Sequence, residues 1–247
     1  MLLLNRCPTF INQKTIFMQQ VQFPPDGGMR YAETNLNYLF PEPFNAVTSC
    51  FFLAIAVYWT IQLWGRGAKY TFLSICTGLL YIGGIGGTIY HSLRQWHIFI
   101  MMDWLPIMLL CVLAGIYFLF KIAKWYYGAL MLVCYMVFQW FARKYMQQHG
   151  DIQLFININY AILASIVLFP VLGYLINTKF KNGKWVGYAL IAFVFALTFR
   201  VADSWGWLTT GTHFLWHTFG AVAAFCMFKY LYLINAETAL NETTSIT

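Results

Sequence analysis

The chain has 247 residues, of which 60% are hydrophobic and only 9% charged. Soluble domains carry about a quarter charged residues, so this composition excludes an ordinary soluble fold. The net charge of +7 does not signal nucleic acid, because the basic residues fall in short clusters between apolar runs and build no basic face.

The opening stretch, "MLLLNRCPTFINQ", has too short an apolar part for a signal peptide, and no small-residue cleavage site follows it. After an N-terminal segment of about forty residues, seven apolar runs follow near 44–64, 71–91, 98–120, 125–142, 154–176, 185–203 and 211–235. Each is long enough to cross a bilayer as a helix, and Trp and Tyr collect near the run ends as interfacial belts. Pro106 and Pro170 fall inside runs, which membrane helices tolerate as kinks. The fold class is all-α: a polytopic bundle of seven transmembrane helices in one domain, 41–235, with an N-terminal segment 1–40 and a polar C-terminal tail 236–247. Of the six cysteines, Cys50, Cys76, Cys111, Cys134 and Cys226 lie in apolar runs and only Cys7 does not. They pair in no CxxC spacing and read as small buried hydrophobes.

Basic residues set an orientation. One side holds Arg66, Lys69, Lys121, Lys124, Lys179, Lys181, Lys184 and Lys229. The other has Arg94, Arg143, Lys144 and Arg200 in its loops, with Arg6, Lys14 and Arg30 in the N-terminal tail. The loop count puts the N-terminus outside and the C-terminus in the cytoplasm.

Ionisable residues inside spans are rare and functional by default. His91 ends span two, Asp103 lies in the first turns of span three, and His213 and His217 open span seven in "GTHFLWHTFGA". With seven spans, parity brings all four to one membrane face, together with Asn45 and Ser49 of span one and Arg200 and Asp203 of span six. Residues four apart share a helix face, so His213 and His217 can address one ion. With a third nitrogen from His91, one tetrahedral position stays open for water, as in a catalytic zinc site. Asp103 would then bond that water or orient a histidine. Two histidines on one helix face cannot serve as the axial pair of one haem. Polar packing between helices and a proton relay stay open on the residues alone.

Arg200 and Asp203, three apart, read as a structural ion pair. Asn45 and Ser49 read as interhelical hydrogen-bonding groups, or as residues that orient the N-terminal segment. His97 reads as a loop or interfacial residue, and His149 in "MQQHGD" as a loop residue.

The combination of "YHSLRQWHIFIMMDWLPIM" with "THFLWHTFGA" on seven spans resembles the alkaline ceramidase family. More broadly it is similar to the seven-span metallohydrolase superfamily that also contains the adiponectin and progestin receptors. The matching positions are His91, Asp103 in "DWLP", His213 and His217, supported by Trp216 and by "FRVADSWGW" with Asp203. The segment "AETNLNYLFPEPFNAVTSCFF" is similar to the family's approach to its first helix, so the likeness covers roughly residues 30 to 230. It implies a zinc held by three histidines, Asp103 as proton acceptor and donor, and cleavage of the ceramide amide to sphingoid base and fatty acid. Activity would then collapse at acid pH, since the histidines bind metal only when neutral.

Three departures stand out. The family's serine four residues before the first histidine is replaced by Gly87, and Thr88 beside it is the candidate for the missing hydroxyl. Glu33, Asn35 and Glu42 match parts of the family's calcium site, but Arg30 stands where an acid belongs, which argues against a complete one. The interval from His91 to Asp103 is one residue longer. The partner implied is a ceramide-like membrane lipid, with no nucleic acid and no protein partner. The rivals are a hydrolase of another acyl lipid at the same site and a seven-span receptor or sensor with a structural zinc; the short cytoplasmic loops disfavour the receptor. A transporter is weaker, for want of inverted repeats. Compact size and the lack of a targeting motif favour a bacterial inner membrane over the endoplasmic reticulum or Golgi.

Overall fold

The computed structural model describes residues 23–150 and 152–244, the side chains of 149, 152, 153 and 237–244 excepted. Arg6, Cys7 and Lys14 therefore lie outside the described residues, as does the end of the C-terminal tail. The chain is a multi-pass membrane protein of seven helices, each long and apolar enough to span a bilayer. They are α1 (Pro43–Leu63), α2 (Thr71–Leu93), α3 (His97–Ile122), α4 (Trp125–His149), α5 (Ile152–Asn177), α6 (Lys184–Ala202) and α7 (His213–Thr244). Hydrocarbon supplies no hydrogen-bond partner to a bare backbone, so apolar runs of this length must be helical throughout.

Two boundaries differ from the sequence reading. Helix α4 continues through the polar stretch "ARKYMQQH", and His149 is its last residue rather than part of a loop. Gly150 stops it in the left-handed conformation at φ 73°, where glycine has no Cβ to clash. Helix α7 continues to Thr244, so most of the expected tail is helical. Charge ends a membrane span, but it does not end a helix.

Helix α1 packs on α2 and α7, α2 on α3, α3 on α5, and α6 on α7, while α4 lies outside against α3 and α5. Helices α5 and α6 are neighbours in sequence yet pack only weakly on each other. Away from the histidines, Trp59, Leu73, Phe118, Tyr230 and Leu231 build the main core. A second, smaller core of Val112, Tyr135 and Leu163 fixes α4, helped by hydrogen bonds among Tyr135, Gln139 and Asn159.

Between α2, α3, α5, α6 and α7 lies a cavity of about 230 Å³. Leucine, valine, alanine and phenylalanine dominate its walls, and its polar end is marked by Asp103, Tyr160 and Trp216.

Candidate metal centre

Helix parity brings the expected residues together. His91 ends the last full turn of α2, His213 is the first residue of α7, and His217 follows one turn later on the same face. Their ring centroids are 4.8 Å (His91 to His217), 4.8 Å (His213 to His217) and 5.6 Å (His91 to His213) apart. One ring nitrogen from each lies within 4.8 Å of the others, the one such cluster among the described residues. All three are buried, at 0%, 2% and 3% exposure.

The donor chemistry tests whether a metal fits. His91 Nε2, His213 Nδ1 and His217 Nε2 are each buried without a hydrogen-bond partner. An unsatisfied buried polar atom costs about 1–3 kcal/mol, and native structures keep few of them. Three in one place, all with lone pairs available to a cation, match the nitrogen set of zinc or a similar transition metal. The residues therefore fit a three-histidine metal site, and its metal is left open by geometry alone.

Glu42 sets the direction of one ligand. Its Oε2 is 2.5 Å from His91 Nδ1. A carboxylate that accepts a hydrogen bond from Nδ1–H holds the proton on that nitrogen and leaves Nε2 as the lone-pair nitrogen. Burial alone would raise the Glu42 pKa, but the hydrogen bond from His91 and the neighbouring Arg94 charge hold the carboxyl below its usual range. Glu42 also receives hydrogen bonds from Thr34, Asn45 and Arg94.

The N-terminal segment covers the histidines. Tyr31 stacks on the His213 ring at 3.9 Å between centroids. Burial pushes its phenol up to about 12, so it stays neutral at physiological pH. Behind His213, Asp203 Oδ1 accepts from the backbone N–H of Thr212 (2.8 Å) and of His213 (2.9 Å), and Oδ2 accepts from that of Ala32 (3.1 Å). One carboxylate thus caps α7 and pins the covering segment. Gly211 makes this approach possible, with φ 71° and no side chain to collide with the Asp203 carboxylate or Ala32. Replacing Asp203 with Ala strips three backbone donors of their acceptor. A loss of about 1–3 kcal/mol follows, read as a fall in the melting temperature of the detergent-solubilised protein, with Asp203→Asn retaining part of it.

Asp103 lies over Gly87. A Cβ built on Gly87 would overlap Asp103 Oδ1 and come within 3.2 Å of Ser49 Oγ. The carboxylate and the Ser49 hydroxyl thus occupy the space that a serine side chain at position 87 would need. The Thr88 hydroxyl points elsewhere, donating back to Gly84 O (2.7 Å) and lying 3.4 Å from Cys50 Sγ. Ser49 is the hydroxyl that meets the space over Gly87 together with Asp103. Adding a single methyl in Gly87→Ala pushes the flexible Asp103 carboxylate aside while the helix persists. Because an ångström of misplacement is worth about a hundredfold in rate, this variant is expected to stay folded and lose activity about ten- to a hundredfold in a hydrolysis assay.

Other expectations are corrected. Arg200 and Asp203 do not pair; among the described residues the ion pairs are Arg94–Asp26, Arg94–Glu42 and His91–Glu42. Asp203 is committed to backbone N–H groups, and the buried Arg200 guanidinium instead lies over the rings of Tyr160 (5.2 Å) and Trp216 (5.5 Å). Its Nε has no partner. Asn45 and Ser49 do not bridge helices: Ser49 donates to Asn45 O, and Asn45 orients the N-terminal segment through Glu42. The residues that the family likeness links with calcium, Glu33, Asn35 and Glu42, make the following contacts. Glu33 caps α1 at the N–H groups of Phe44 (2.5 Å) and Asn45 (3.0 Å), Asn35 accepts from Asn37 N–H, and Glu42 serves His91 and Arg94. His97 opens α3.

The sequence reading missed Asp26, Tyr31 and Arg94. The chain matches no known protein-family profile and no curated protein. Membership of a named family is therefore not shown, and the site stands on its own geometry.

Proposed function

We propose that the protein is a membrane-embedded, zinc-dependent lipid amidase, and that the amide it cleaves is that of ceramide. The observation that carries this reading is the convergence of three unpartnered, buried histidine nitrogens on helices α2 and α7, which also line an apolar cavity that has Asp103 in its wall. His91, His213 and His217 would hold the ion. When bound, zinc lowers the pKa of water toward 7 and polarises a carbonyl.

The chain's own residues supply the rest. Asp103, at the polar end of the cavity, takes a proton from water and returns it to the leaving nitrogen. Ser49 Oγ, near the same carboxylate, donates to Asn45 O and keeps lone pairs that can accept from a substrate N–H or hydroxyl. Arg200 brings N–H donors and positive charge to the rings of Tyr160 and Trp216, which line the same end. That charge favours an oxygen gaining negative charge. Acyl chains suit the cavity walls, and the weakly packed α5–α6 side gives a lipid an entrance from the bilayer. Tyr31 and the covering segment keep bulk water from the histidines.

Ceramide, another N-acyl lipid and an acyl ester would fit the same cavity, so the assay must offer all three. The purified protein, loaded with zinc in mild detergent, is expected to release fatty acid from ceramide faster than from an N-acylethanolamine or a matched ester. Release from none of them by a zinc-loaded, folded protein rejects the hydrolase reading. Preference for the ester or the other amide moves the substrate and keeps the site.

A further inference from the structure

Arg94 follows α2 at φ 52°, a left-handed conformation that costs an arginine free energy. Its side chain is completely buried, in a chain where charge is scarce. Oxygens meet every edge of the guanidinium. Nε donates to Asp26 Oδ2 at 2.7 Å; Nη2 donates to Asp26 Oδ1 at 3.2 Å and to the Met29 carbonyl at 2.7 Å. Nη1 donates to Glu42 Oε1 and lies 3.5 Å from Thr34 Oγ1. The rings of Tyr90 and Tyr31 flank it at 4.6 and 5.7 Å.

Two carboxylates, a carbonyl and a hydroxyl around one positive centre form the donor set of a hard divalent cation, all oxygen and doubly anionic. None of these groups is on α2. All belong to the segment that covers the histidines, and Glu42 is the residue whose second oxygen orients His91. We propose that Arg94 is a built-in cation, standing where a divalent ion would otherwise be needed, and that it positions His91 through Glu42 while clamping the covering segment over the metal centre.

Being covalently attached, this cation cannot be chelated away. The wild-type protein therefore needs no second metal, and neither calcium nor a calcium-selective chelator moves its melting temperature. Arg94→Gly removes the guanidinium and also relieves the left-handed backbone, so a defect in it comes from the lost contacts. It leaves an oxygen cage with no cation.

The test measures zinc affinity of the full-length protein in detergent, by competition with a chromogenic chelator, beside melting temperature. The proposal rests on the metal-centre reading for the first readout only. Arg94→Gly is expected to bind zinc about ten- to a hundredfold more weakly, the range for losing a residue that orients a ligand. Millimolar calcium is expected to recover the affinity of Arg94→Gly and raise its melting temperature, leaving wild type unchanged. A folded Arg94→Gly that binds zinc like wild type overturns the positioning role. Weakening that calcium does not relieve overturns the cation role. Should Arg94→Gly fail to fold, wild type still decides: a rise in its melting temperature with calcium would show room for an ion beside Arg94 and overturn the proposal. Should wild type bind no zinc, the hydrolase reading falls, while the calcium dependence of the Arg94→Gly melting temperature still tests the clamp.

Discussion

Replacing both His213 and His217 with alanine is expected to abolish metal binding, from about one zinc per chain to none detectable by mass spectrometry of the purified protein. Only His91 would remain, and one imidazole does not hold zinc against water. The helix should survive the change. Alanine is the best helix former, and the substitution removes two partnerless buried nitrogens, so the folding cost is limited to the space vacated. Retained helicity by circular dichroism with lost metal is thus the expected pair of results. A folded wild type that takes up no metal, even with zinc supplied, would sink the metal-centre reading and leave the three histidines as polar packing. Acid should mimic the double variant, because protons compete for the same nitrogens.

Depth in the membrane was legible in the sequence; lateral neighbourhood was not. Hydropathy gave seven spans to within a few residues, except where helix outlasted hydrophobicity at the ends of α4 and α7. Parity then placed His91, Asp103, His213 and His217 at one end, and the four-residue spacing put the last two on one face. What a periodicity cannot provide is where an irregular segment folds back. Asp26, Tyr31 and Thr34 meet the site with side chains carried on an irregular loop, Met29 with its backbone carbonyl, and Glu42 from an N-cap position. Arg94 looked like a topology-setting loop charge because its sequence neighbours are those of a span end, yet it is completely buried. Asp203 was expected to pair with Arg200, three residues away, but the start of α7 offers it two N–H groups and the covering segment a third. Buried carboxylates go to the donors that converge best, and those were ten and 171 residues distant.

Asp103→Asn should lower kcat by about 10²- to 10⁴-fold, the usual contribution of a positioned proton acceptor. The amide has the carboxylate's shape and keeps the place over Gly87 beside Ser49 Oγ, so packing is conserved while proton transfer is lost. The same variant separates the two roles that the residue's position allows. If Asp103 moves the proton, zinc content and affinity stay at wild-type level and the fatty-acid release rate per bound zinc falls. If Asp103 instead only orients a histidine, zinc affinity falls about ten- to a hundredfold and the rate per bound zinc survives once the site is saturated. His91 already has Glu42 for its Nδ1 proton, which removes the most obvious orienting task from Asp103 and leaves the chemical one.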